Sequence, residues 1–315
     1  MNPAFSVILL TTLTGTSQGL FLAMFGAHLM HALNMPSIDP GSDFYIAGTV
    51  VSLLLAGGGL VASFFHLGRP ERAWRTATMW RTSWLSREVI VLPAFMGSVA
   101  LYGLGHLLDW APQAVLAIGA AGAFFAVALF ICTGMIYACL KFLQEWATPL
   151  TVVNYLVLGC ASGVTLASAS AAFSAASLTP AFTLAAVALT LLGLATRSAS
   201  LIRNSRIRHR STLQSAIGIH HPRIVQKSQG LMGGSFNTRE FFHHRTLAFL
   251  RSVKWTFLLL AFILPLPLLA FGALNASAPL LCLAFVIQYI GLLAERWYFF
   301  AQANHPQNLY YQTIS

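Results

Sequence analysis

His66 and Glu88 are the two side chains in this sequence whose types and spacing best suit proton handling at a membrane boundary. They bracket a polar stretch, His66-Leu67-Gly68-Arg69-Pro70-Glu71-Arg72-Ala73-Trp74, which continues through Trp80, Trp84, Ser86 and Arg87 to Glu88. Gly68 and Pro70 stop the apolar run that precedes them, so the imidazole and the carboxyl fall on neighbouring helices at the edge of the hydrocarbon. A quinone needs such an edge: an apolar slot for its ring and tail, a hydrogen-bonding group at each carbonyl, and a proton route. Histidine titrates near neutrality, and a carboxyl relays protons when burial raises its proton affinity. The same spacing also fits an interfacial His and a Glu that opens a helix, where its charge meets the positive helix end. Spacing alone leaves both readings open.

The elements that must position these groups are long and apolar. The chain has 315 residues, 57% hydrophobic and 8% charged, against roughly 25% charged in a soluble domain. A helix needs about 20 apolar residues to cross the hydrocarbon core. Eight runs meet that length, near 5–33, 44–67, 88–109, 112–142, 149–175, 179–203, 250–273 and 277–302. This predicts an all-α, polytopic helical bundle forming one membrane domain over 1–315. Residues 204–249 are read as an extended basic loop within it. Small residues are dense in the runs, as in Ala56-Gly57-Gly58-Gly59, which suits close helix packing in lipid.

Charge sets the orientation. With eight spans, both termini and the 2–3, 4–5 and 6–7 connections share one side. All 18 Lys and Arg fall on that side or at helix ends facing it, whereas Asp39, Asp43 and Asp109 fall on the other. The positive-inside rule makes the basic side cytoplasmic, so both termini are expected inside a bacterial cytoplasmic (inner) membrane. The net charge of +10 is then a topology signal, and no nucleic-acid-binding module accompanies it. The first apolar run is too long for a signal-peptide core and reads as a retained helix.

Other chemistry is poorly supported. Cys132, Cys139, Cys160 and Cys282 lie inside apolar runs with no CxxC pair, so no iron–sulfur cluster is expected in this chain. A secondary transporter would place binding groups near the midplane on broken helices or between repeats. The sequence shows neither, and almost no ionisable residue at that depth. His28, His31 and His106 lie toward the outer ends of the first and third runs. Histidines on facing helices could ligate a b-type haem, but hydrogen-bonded interfacial histidines are the expectation. His220-His221 and His243-His244 lie in the long loop without a nearby Cys, and metal binding there is not expected.

The motif His66-Leu67-Gly68-x-Pro70-x-Arg72-Ala73, followed by Ser86-x-Glu88, resembles the membrane anchor subunit of the dimethyl sulfoxide reductase family. The resemblance continues through Gln18-Gly19, Tyr137 with Trp146, Thr148-Pro149, Glu295-Arg296 and Tyr298-Phe299. It implies eight helices and a quinone (ubiquinone or menaquinone), with molybdopterin and iron–sulfur clusters held in partner subunits and no molybdenum centre in this chain. By the same resemblance, His66, Arg72 and Glu88 match positions implicated in the family's quinol site, and Gln18 is a weaker candidate for a carbonyl contact. Arg72 would stabilise negative charge on the reduced ring or fix Glu88.

Two departures narrow the resemblance. The 6–7 loop is expanded, and the basic side is the motif side, so the catalytic partners are expected in the cytoplasm. The loop segments 211–227 and 232–242 look like the anchor of the cytoplasmic, membrane-bound sulfite-oxidising molybdoenzyme. That branch implies electrons passing from sulfite to the quinone pool. The alternatives are a quinol-oxidising anchor of a dimethyl sulfoxide or polysulfide reductase-type complex, or a non-redox transporter. The loop itself reads either as a topology signal that touches anionic headgroups or as a docking surface for the iron–sulfur subunit.

Overall fold

The computed structural model describes residues 1–33, 40–208, 210–225, 227 and 243–306. Among them are eight helices long and apolar enough to cross a membrane, and no strand. These are α1 (Phe5–Ala32), α2 (Ser42–Phe64), α3 (Trp84–Leu107), α4 (Pro112–Ala138), α5 (Pro149–Ser174), α6 (Thr179–Ser205), α7 (Leu247–Leu274) and α8 (Ala278–Ala301). Proline in the first turn opens α4, α5, α6 and α8, where its missing N–H costs no helical bond. Side chains of Ser83, Thr148 and Thr246 accept backbone N–H groups at the starts of α3, α5 and α7, as N-caps do.

The even number of spans puts the start of α1 and the end of α8 on one face. The structure ties them together there: the Met1 amine donates to the carbonyl of Ala303 at 2.9 Å. The expected spans agree to within a few residues, with one consequential difference. Hydropathy predicts a third helix that begins at Glu88. The Ser83 cap starts α3 at Trp84, so Glu88 lies one turn inside the helix rather than at its first residue.

The most buried helices, α1 and α5, form the centre of the bundle. They cross where Gly15 and Gly19 face Gly159 and Gly163. A Cβ on Gly19 would meet the Gly159 carbonyl oxygen at 2.3 Å, and one on Gly163 would meet the Leu20 nitrogen at 2.2 Å. Only glycine permits this backbone contact, the small-xxx-small logic of helix packing in lipid. Around this axis α2 and α4 pack on α1, α6 packs on α5, α3 pairs with α4, and α8 closes the bundle against α5 and α7.

Two features differ from expectation. The seventh helix is interrupted at mid-span: Leu259–Ile263 is a π-helical turn, and Pro265 follows it. Pro265 has no N–H for the Ala261 carbonyl four residues back, so the helix must widen there. The side chain of Gln288 fills the gap by donating to the Ala261 oxygen at 3.3 Å and to Thr190 at 2.9 Å. The membrane interior also holds more charge than expected. Arg197 and Glu295 are 2% and 1% exposed and pair at 2.7 Å between α6 and α8. Arg296 approaches the other Glu295 oxygen at 3.5 Å. Arg197 lies eight residues before the end of α6, about 12 Å along the helix at 1.5 Å per residue.

Candidate functional site

Glu88 opens a narrow slot between α1, α3, α4 and α5. Leu10, Leu92, Leu129 and Phe130 supply its apolar walls, and Thr11, Thr14, Gln18, Glu88, Thr133 and Tyr155 its polar groups. Free volume in the slot is about 10 Å³, room for roughly one water, so a larger ring enters only as the walls rearrange. The hydroxyl of Thr133 donates to Glu88 Oε1, which leaves Oε2 to face another group. The buried hydroxyl of Thr14 has no hydrogen-bond partner, an uncompensated polar atom of the kind a ligand oxygen or a water satisfies. Gln18 is 2% exposed, and its Nε2 donates to the Ala126 carbonyl at 2.7 Å. That bond clamps α1 to α4 and fixes the amide beside Glu88. The Gly19–Gly163 crossing sets its position one residue later on α1.

Behind the slot lies a cationic cluster that no sequence motif brings together. Tyr155 lines the slot and carries the Arg296 guanidinium over its ring at 3.8 Å from the centroid. Arg296 belongs to the Arg197–Glu295–Arg296 group. Tyr137 stacks on Tyr155 with centroids 5.7 Å apart. Trp146 and Phe299 stack beside them at 5.3 Å, and Trp146 Nε1 donates to the Phe299 carbonyl at 3.0 Å. The signal is legible in one respect: Glu295 and Arg296 sit inside an otherwise apolar run. Their partners Arg197 and Tyr155 are distant in sequence, and only the packing of α5, α6 and α8 brings them together.

The expected site residues divide. Glu88 and Gln18 share the slot. His66 and Arg72 are outside its lining and lie on the 2–3 connection. His66 is exposed just beyond the end of α2, where partial desolvation holds its pKa below the usual histidine value. Arg72 is exposed on a 3-10 segment, Pro70–Met79, and its ionic neighbour is Glu71 at 3.9 Å rather than Glu88. An exposed pair of that length contributes little to stability. The same segment presents Trp74, Met79 and Trp80 to the outside at 67%, 60% and 52% exposure. Arg75, Arg81 and Arg87 lie over the rings of Trp74, Trp80 and Trp84. Arg87 ties this connection to α3 by donating to the carbonyls of Trp80 and Arg81.

At the opposite face, His28 is buried and its Nδ1 lies 3.1 Å from the Tyr102 hydroxyl. Its ring centroid is 5.1 Å from that of His106, which stacks on Tyr45 at 4.4 Å. His31 is exposed. His28 and His106 are thus in ring contact within an aromatic cluster. No group of three or more His, Cys, Asp or Glu with metal-binding geometry occurs among the described residues. Of the long loop, residues 209, 226 and 228–242 lie outside the described set, and with them the whole of segment 232–242 and part of 211–227. The described part of the loop includes one helical turn, Leu213–Ile217, capped reciprocally by Thr212 and Ser215.

The sequence matches the DMSO reductase anchor subunit (DmsC) family over residues 1–311. It is 52% identical, over the full length of both chains, to a protein from Allochromatium vinosum that is named as a subunit of sulfite dehydrogenase. No solved structure matches it. Eight spans, the motif on the 2–3 connection and a match covering nearly the whole chain lead to one assignment: the chain belongs to the DMSO reductase anchor subunit family.

Proposed function

We propose that this chain is the quinone-reactive membrane subunit of a sulfite dehydrogenase complex, with its quinone headgroup site in the Glu88 slot. The observation that carries the reading is a carboxyl one turn inside α3, held at one oxygen by Thr133, in a slot walled by Leu92, Leu129 and Phe130. The donor set fits a quinone: Glu88 Oε2 and the Thr14 hydroxyl are available to its carbonyl oxygens, and the apolar walls would face its ring once they part to admit it. Bound there, the quinone supplies a two-electron, two-proton acceptor.

The chain's own residues do the rest. Thr133 orients the carboxyl so that Oε2 holds the proton that moves. Gln18, fixed on the Ala126 carbonyl, keeps α1 against α4 and presents its amide at the slot wall. Arg296, over Tyr155, sets a positive potential behind the slot that favours added negative charge. His66 and Arg72, both exposed on the 2–3 connection, would exchange protons with the aqueous phase and attract anionic groups respectively. The basic face is cytoplasmic by the positive-inside rule, so protons come from the cytoplasm and no net charge crosses the bilayer.

Iron–sulfur and molybdopterin subunits would dock on the same face, over the exposed Trp74–Trp80 segment and the basic 6–7 loop. Exposed tryptophan interleaved with arginine is the composition of a protein interface. Sulfite as the electron source rests on the name of the Allochromatium vinosum relative.

The test uses the purified complex. Glu88→Gln should lower sulfite-dependent quinone reduction by about a hundredfold or more, the usual worth of a general acid–base group. Sulfite oxidation by a soluble artificial acceptor should persist. An equal fall in both activities would make Glu88 a structural residue.

A further inference from the structure

A second cavity lies on the face that carries the chain ends, between the ends of α6 and α8 and the start of α7. Its volume is about 360 Å³, within the range of small-ligand sites. His243, Lys254, Gln302, Asn204 and Glu145 supply its polar lining. Nothing in the quinone mechanism uses it.

The chemistry of the cavity is set by donors. His243 is 5% exposed. Its Nδ1 accepts the backbone N–H of Arg245 at 3.0 Å, so the neutral ring carries its proton on Nε2. Burial, together with the nearby N-terminal amine, His244 and Arg245, pushes the His243 pKa down to about 4, so the ring is neutral at cytoplasmic pH. That Nε2–H has no hydrogen-bond partner, and neither does Nε2 of Gln302. A buried donor left unmade costs about 1–3 kcal/mol. Two such donors and the Lys254 ammonium line one space, which calls for an acceptor-only anion. A phosphate group has that character.

Depth and surroundings select the source. Gln302 and Asn304 lie just past the end of α8, and Asn204 and Ser205 close α6, so the cavity sits at headgroup level. Leu201, Leu247 and Leu250 form its apolar side, and Leu247 is 61% exposed, a surface for an acyl chain. Glu145 is 7% exposed, and its Oε1 accepts the Asn304 N–H at 3.2 Å. Its carboxylate suits the ammonium of a zwitterionic headgroup. We propose that this cavity is a binding site for the phosphate headgroup of a membrane phospholipid, with an ethanolamine headgroup preferred over glycerol.

Native mass spectrometry and lipid extraction of the detergent-purified complex test this directly, without reference to activity. The wild-type complex should keep one phospholipid per chain through delipidating washes. His243→Leu combined with Gln302→Leu should reduce retention at least tenfold. His243→Gln, which restores an N–H donor, should recover part of it and shows that the loss is not one of folding. Vesicles of phosphatidylethanolamine should refill the stripped site better than vesicles of phosphatidylglycerol. Displacement of the lipid by excess inorganic phosphate would show a simple anion site and overturn the lipid assignment. So would a wild-type complex that washes lipid-free, a double variant that retains lipid equally, or recovery of quinone in place of phospholipid.

Discussion

Replacing Glu295 with Gln probes the buried charge cluster most sharply. Among the described residues, Glu295 is the acid paired with Arg197 at 2.7 Å and with Arg296 at 3.5 Å, and all three side chains are at most 5% exposed. Glu295→Gln leaves two cations facing each other out of water. Removing one partner of a buried pair costs about 3–5 kcal/mol, which in a chain of this size lowers the midpoint of thermal unfolding by on the order of 10 °C. Arg197→Met instead leaves Glu295 balanced by Arg296, whose guanidinium also rests on Tyr155. It should cost distinctly less. The assay is thermal unfolding of the two variants in the same detergent, followed by tryptophan fluorescence. If Arg197→Met proves the more damaging, or if Glu295→Gln melts with the wild type, the cluster is not held together by charge balance.

Three further outcomes follow from particular contacts. Gly163→Leu should prevent assembly of the complex in membranes, because any Cβ there meets the α1 backbone at 2.2 Å; immunoblotting of membrane fractions reads this. Gln288→Leu removes the donor that satisfies the Ala261 carbonyl beside Pro265 and should destabilise by about 1 kcal/mol, the measured scale of such bonds in membranes, as a small fall in unfolding midpoint. The third concerns pH. His243 is held near pKa 4 when folded, against 6.5 for the free side chain, so the unfolded chain binds the extra proton first. The contribution of His243 is full above pH 6.5 and is lost as pH drops toward 4, overlapping that of the Met1 amine, whose pKa burial lowers from 8.0 to about 5. The titratable and charged groups around His243 are the Met1 amine, His244, Arg245, Lys254 and Glu145. A thermal-unfolding series over this range should fall less steeply in His243→Leu than in the wild type, the remaining slope including that of the Met1 amine.

The fold was largely written in hydropathy, because lipid demands long apolar helices with internally satisfied backbones. Apolar run length placed the helices, and the Ser83 cap, one turn earlier than the third apolar run, moves Glu88 from the helix edge into the bundle. Glu88 was legible as chemistry because it is a carboxyl at the edge of an apolar run, and Gln18 through the family resemblance. Thr14, Thr133 and Tyr155 were not. A threonine in a membrane helix usually bonds its own backbone, as Thr11 and Thr12 do here, and nothing local marks one that faces a slot. The π-helical turn at Leu259–Ile263, before Pro265, runs against the expectation of unbroken helices, and its repair by Gln288 needed the packing of α7 against α8. The Arg197–Glu295 pair joins residues 98 apart in sequence, beyond any periodicity argument.

A structure of the assembled complex with a quinone analogue bound tests the central claim most directly. The ring should lie between α1, α3 and α4, with one carbonyl within hydrogen-bonding distance of Glu88 and the iron–sulfur subunit seated over the Trp74–Trp80 segment on the same face. A ring bound instead beside the His28–Tyr102–His106 cluster at the opposite face, with Glu88 sealed away from it, would contradict the proposal outright.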